Sequence, residues 1–95
     1  MKTVADLKQY FEKGGRIQLV QQSWSEIVPE LLSTIRKPIK CQPEAVKLEG
    51  GLWLDYPQDS AFEVNEDIFT VFIYRHKIAT PSGFMRYKLI NKELI

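Results

Sequence analysis

The chain has one cysteine and one histidine in 95 residues, and each scarcity closes off a kind of chemistry. A lone Cys41 forms no intrachain disulfide and no thiolate zinc cluster, so a reducing compartment is the simpler expectation. His76 stands between Arg75 and Lys77. Those cations disfavour imidazolium and repel a metal ion, so His76 reads as an exposed turn residue. With one histidine a Ser-His-Asp triad has little to build on, and no serine sits in a nucleophile-elbow context. Glycine-rich phosphate loops are missing too, since Gly14-Gly15 and Gly50-Gly51 match neither Gly-x-Gly-x-x-Gly nor a Walker pattern. Asp55, Asp59 and Glu63 lack the spacing of a calcium loop and read as solvated turn acids. No cofactor, metal or catalytic residue is expected.

Long apolar runs are absent as well. No uninterrupted stretch is long enough to span a bilayer, and residues 1–10 have no apolar core of signal-peptide length. The expectation is a cytoplasmic protein with no membrane partner. A formal net charge of +1 supplies no whole-protein field toward nucleic acid. The charge is nevertheless unevenly placed. Residues 49–67 carry Glu49, Asp55, Asp59, Glu63, Glu66 and Asp67 with no base, and residues 75–92 carry Arg75, Lys77, Arg86, Lys88 and Lys92 with no acid. Facing strands of opposite sign explain that split without an external partner.

What the chain does have is pattern. Ninety-five residues suffice for one domain, 1–95, and are too few for two cores. Residues 68–74 are apolar on both faces at a period of two and predict a central strand covered above and below, with Phe72 in the core. Thr3 and Asp6 resemble a capping box ahead of Val4, Leu7, Tyr10 and Phe11 at helical spacing. A helix over 3–13 follows, stopped at Gly14-Gly15. Residues 16–22 alternate as a strand with one wet face.

Residues 24–35 are ambiguous. Trp24, Ile27, Val28, Leu31, Leu32 and Ile35 repeat helically, but Pro29 interrupts them. Either a short helix begins at Pro29 and runs to about Thr34, or residues 23–29 form a loop pinned by Trp24. Residues 35–42 read as one edge strand, since Pro38 cannot donate to a ladder and its lysines discourage further pairing. Its alternation puts Ile35, Ile39 and Cys41 on one face and Arg36, Pro38, Lys40 and Gln42 on the other.

Register is legible in the next hairpin. A two-residue Gly50-Gly51 turn would split the apolar residues between faces. A three-residue loop, Glu49-Gly50-Gly51, sets Leu48 opposite Leu52 and Val46 opposite Leu54. That loop type expects Gly51 left-handed and Gly50 right-handed. It also pairs Lys47 with Trp53 and Ala45 with Asp55 on the second face. Residues 57–60 and 80–83 are turns by composition, and residues 84–90 form a last strand with Met85, Tyr87 and Leu89 inward and Arg86 and Lys88 outward.

The fold class this predicts is α+β: an N-terminal helix packed on a bent antiparallel sheet of five to six strands, possible as a partly closed small barrel. A winged-helix arrangement is the competing architecture. Two candidate surfaces follow. Lys47, Trp53 and Asp55 form a docking patch for a protein partner or a second copy, provided the first helix leaves Trp53 uncovered. Arg36, Lys40, Arg75, Lys77, Arg86 and Lys88, with Tyr74, Phe84 and Tyr87 near by, are the alternative, a single-strand nucleic-acid surface of stacking platforms and phosphate contacts. The expectation is a non-enzymatic interaction module.

Overall fold

The computed structural model describes residues 1–23, 34–74 and 79–95. Helix α1 spans Val4–Glu12, and its capping box forms as the sequence predicts: the Thr3 hydroxyl accepts from the Asp6 amide, and the Asp6 carboxylate accepts from the Thr3 amide. A second carboxylate joins from far along the chain, because Asp59 Oδ1 accepts from the Val4 amide at 2.8 Å. One of the turn acids is thus a fold-spanning helix cap. Gly14 ends the helix with φ +83°. Gly15 then packs against Tyr10 so closely that an added Cβ would lie 2.4 Å from the ring.

The strands are β1 (Ile17–Gln22), β2 (Ile35–Arg36), β3 (Pro38–Cys41), β4 (Ala45–Leu48), β5 (Leu52–Asp55), β6 (Phe62–Asn65), β7 (Ile68–Ile73) and β8 (Gly83–Leu89). They form two antiparallel sheets, a five-stranded one ordered β2-β1-β8-β7-β6 and a three-stranded one ordered β3-β4-β5. The architecture is α+β and does not close into a barrel.

Residues 35–42 correct the expectation of one edge strand. Lys37 lies between two short strands that belong to different sheets, and each is indeed an edge. A backbone whose next residue is proline is held extended, and the missing donor ends the ladder there. Glu49 stitches the crossing, its carboxylate accepting from the Lys37 amide at 2.8 Å and its own amide donating to the Lys37 carbonyl at 3.0 Å.

The apolar stretch at 68–74 yields β7, but β8 is the middle strand. Pairing partners, not total apolarity, decide position in a sheet. Register puts Ile17, Leu19, Met85, Tyr87, Leu89, Phe69, Val71, Phe62 and Val64 on one face of the large sheet. That face meets α1 and the Val46–Leu48–Leu54 face of the small sheet to make the core. Phe69 is its aromatic centre, stacked on Tyr87 with centroids 5.0 Å apart and close to Phe62 at 5.7 Å. Phe72 faces the other way, half-buried opposite Phe84. The core ring from this strand is Phe69, with Val71 beside it on the same face, because the side chains alternate.

The hairpin register is as predicted: Leu48 pairs with Leu52, Lys47 with Trp53, Val46 with Leu54 and Ala45 with Asp55. Its turn differs in one residue. Both Gly50 (φ +86°) and Gly51 (φ +80°) are left-handed. The Gly51 amide bonds the Leu48 carbonyl at 3.1 Å, so Gly50 occupies the third position of a type II turn, which requires that sign. The helix expected from Pro29 to about Thr34 and the alternative loop over residues 23–29 lie outside the described residues except for Ser23 and Thr34, and Arg75, His76 and Lys77 lie outside them as well.

Candidate functional site

The small sheet turns its outer face to solvent. Helix α1 packs on the inner face with Val46, Leu48 and Leu54, leaving Trp53 48% exposed. Lys47 Nζ lies 5.9 Å from the centre of the Trp53 ring, within cation–π range. Asp55 is exposed on the same face two residues on. The structure therefore brings Lys47, Trp53 and Asp55 together as the register implied.

Strand β5 adds a feature that residue types alone did not disclose. It is an edge, and among the described residues it pairs only with β4. The other edges carry devices that discourage pairing. Strand β2 has two residues, β3 contains Pro38 and Lys40 with a register irregularity, and β6 carries exposed Glu63. Strand β5 holds Leu-Trp-Leu-Asp, with neither proline nor lysine, and Leu52 is 44% exposed.

Behind β5, between the two sheets, is an apolar cleft of about 440 Å³. Leu19, Val71, Ile73 and Met85 form its large-sheet wall, and Leu48, Leu52 and Leu54 the opposite one. Arg36 also lines it. This reverses the apparent amphipathicity of β2. Ile17 faces the core, so its cross-strand partner Arg36 faces inward, while Ile35, opposite Gln18, is 45% exposed. Ile39 of β3 is exposed as well. The break before Pro38 was the sequence signal for this, because a two-residue strand takes its facing from its partner and not from its own alternation.

The basic set does not assemble into one stripe. Arg36 faces the cleft, where its guanidinium donates to the Glu49 carbonyl at 2.6 Å. Lys40 is exposed on the other sheet. Arg86 and Lys88 share the outer face of β8, but Arg86 is committed, bonding Gln21 Oε1 at 2.7 Å and lying 4.3 Å over the Phe84 ring. Arg75 and Lys77 are outside the described residues. Off the strands, Lys92 of the 3-10 turn after β8 pairs with Asp67 of the β6–β7 turn at 3.5 Å.

Among the described residues no three metal-ligating side chains gather, and no helix is long and apolar enough to cross a membrane. The Cys41 side chain is exposed at a strand end, and partial burial with Glu12 near by raises its thiol pKa, the opposite of activation. No protein-family model, curated protein or solved structure matches this chain.

Proposed function

We propose that this protein is a non-enzymatic binding module that accepts an extended segment along the β5 edge, supplied by another protein or by a second copy. The observation that carries the reading is an edge strand that holds an exposed Trp53, has neither proline nor lysine, carries its one charge at the terminal Asp55, and pairs among the described residues only with β4. Strand addition at such an edge draws affinity from main-chain hydrogen bonds and specificity from alternate side chains. Leu52 and the cleft behind it would receive one apolar side chain, and the Trp53–Lys47 pair would meet its neighbour on the outer face. Aromatic anchors of this kind are enriched among residues that dominate binding energy. The exposed Cys41 thiol fits a reducing compartment such as the cytoplasm.

The test is selection from a displayed library of random peptides, with sedimentation of the protein alone over a concentration series. The wild type should enrich peptides with alternating apolar residues or should self-associate. Leu52→Lys and Trp53→Ala should lose that binding while stability stays within about 1 kcal/mol of wild type, as expected for exposed positions. A wild type that selects no peptide and remains monomeric refutes the reading. Steeply salt-dependent capture of labelled DNA or RNA would instead favour the basic surface.

A further inference from the structure

We infer that the cleft between the sheets is a binding site for a small apolar monocarboxylate, held by Arg36. This goes beyond the edge reading and does not depend on it. The volume, about 440 Å³, falls in the range of small-molecule pockets, which are mostly apolar with a few placed polar groups. Leu19, Leu48, Leu52, Leu54, Ile73 and Met85 supply the apolar lining.

The polar group is the informative part. The Arg36 guanidinium stands at the solvent-exposed rim of the cleft, against the Glu49-Gly50 turn, where a charge beside an apolar lining can meet an anion whose body enters the cleft. One donor of Arg36 reaches the Glu49 carbonyl, but among the described residues no carboxylate lies within 4.0 Å of it. The nearest acid in sequence pairing is already used, since the Glu49 carboxylate accepts from the Lys37 amide. Asp55 and Trp53 also line the cleft on the β5 side, and Asp55 forms no ion pair with Arg36. Gln22 adds one neutral amide to the lining. A ligand with an apolar body and one carboxylate complements this set. The body replaces water along the leucines, and the carboxylate takes the guanidinium donors that Glu49 leaves open, a geometry that arginine offers and lysine does not match.

The experiment is calorimetric titration of the whole protein with octanoate and with 1-octanol, which shares the chain and lacks the charge. Octanoate should bind at least about tenfold more tightly, a difference of about 1.4 kcal/mol. Arg36→Gln should erase that preference while leaving octanol binding in place. Arg36→Lys should keep part of it. Leu52→Glu, at an exposed rim position that tolerates charge, should weaken octanoate more than octanol. Should Arg36→Gln fail to fold, the lysine and Leu52 variants still decide. Equal affinity for the two ligands, a preference unchanged in Arg36→Gln, or binding of neither ligand would each overturn the proposal. The last result would mean that the cleft is filled or collapsed in solution.

Discussion

One sheet face is finished in two different ways. Toward the chain termini, the large sheet carries Phe62, Phe69, Ile17 and Leu89, and α1 seals them with Val4, Leu7 and Phe11 until all are buried. Toward the other end, the same alternation supplies Leu19, Ile73 and Met85, which stay only partly covered and line the cleft with Arg36. Composition hardly separates the two halves. The difference is the cover. Nine residues of helix reach across one half, and the three-stranded sheet leans over the other without filling it. Apolar alternation thus states that a face will seek cover, while the cover available decides whether the result is core or pocket.

The sharpest way to break this comparison is to truncate one side chain in each half. Phe69→Ala removes a fully buried ring stacked on Tyr87 and tilted against Phe62, and should cost about 3–5 kcal/mol in denaturant unfolding. Leu52→Ala, at the cleft rim, should cost about 1 kcal/mol or less. Similar losses would mean that the cleft is core. Phe72→Ala should fall between them, because that ring is half-buried on the opposite face.

The Tyr87 phenol sits at the boundary between the halves, and burial pushes its pKa up to about 12. The unfolded chain ionises near pH 10, so the folded state holds the proton longer. Stability from this group is therefore complete below about pH 10 and is lost as pH rises toward 12. Tyr87→Phe should flatten that alkaline limb and remove one late-titrating phenolate signal at 295 nm. Tyr56, also pushed up to about 12 by burial, and Tyr10, raised by burial too, should remain as late titrants. An ordinary titration of Tyr87 would place water from the cleft against it.

The turns at the two ends give smaller effects. At the cleft end, Gly50→Ala and Gly51→Ala should each cost about 1 kcal/mol, since both residues have positive φ. Gly50→Ala should in addition push the Arg36 guanidinium aside, because its new Cβ would lie 2.4 Å from Nη1 at the end of that flexible side chain. It should therefore also disturb carboxylate binding, and Gly51→Ala should not. At the helix-covered end, Glu66 has φ +57° in the β6–β7 turn, so Glu66→Gly should stabilise by about 0.5–1 kcal/mol. No gain in thermal unfolding would show that the glutamate side chain offsets its own strain.

Much of the local order was legible because it rests on short-range physics. The Thr3–Asp6 box, the helix face of Val4, Leu7, Tyr10 and Phe11, and the Leu48–Leu52 register each depend on residues within a few positions of one another. The same register correctly paired Lys47 with Trp53. Even so, that pairing left open whether α1 would cover them.

The remaining questions were settled by tertiary structure. Residues 35–42 alternate evenly in sequence, but Arg36 takes its facing from Ile17, to which it is paired across the sheet, and Ile39 belongs to a different sheet altogether. Phe72 and Phe69 are equivalent by composition, and only the position of α1 made one core and the other half-exposed. Asp59 looked like a solvated turn acid until the fold brought it to the start of the first helix. By itself the sequence determined the elements, their periodicity and one hairpin register, because adjacent residues share backbone geometry. Which face is covered, which strand lies in the middle and where Arg36 points depend on partners tens of residues away, and local pattern holds no record of them.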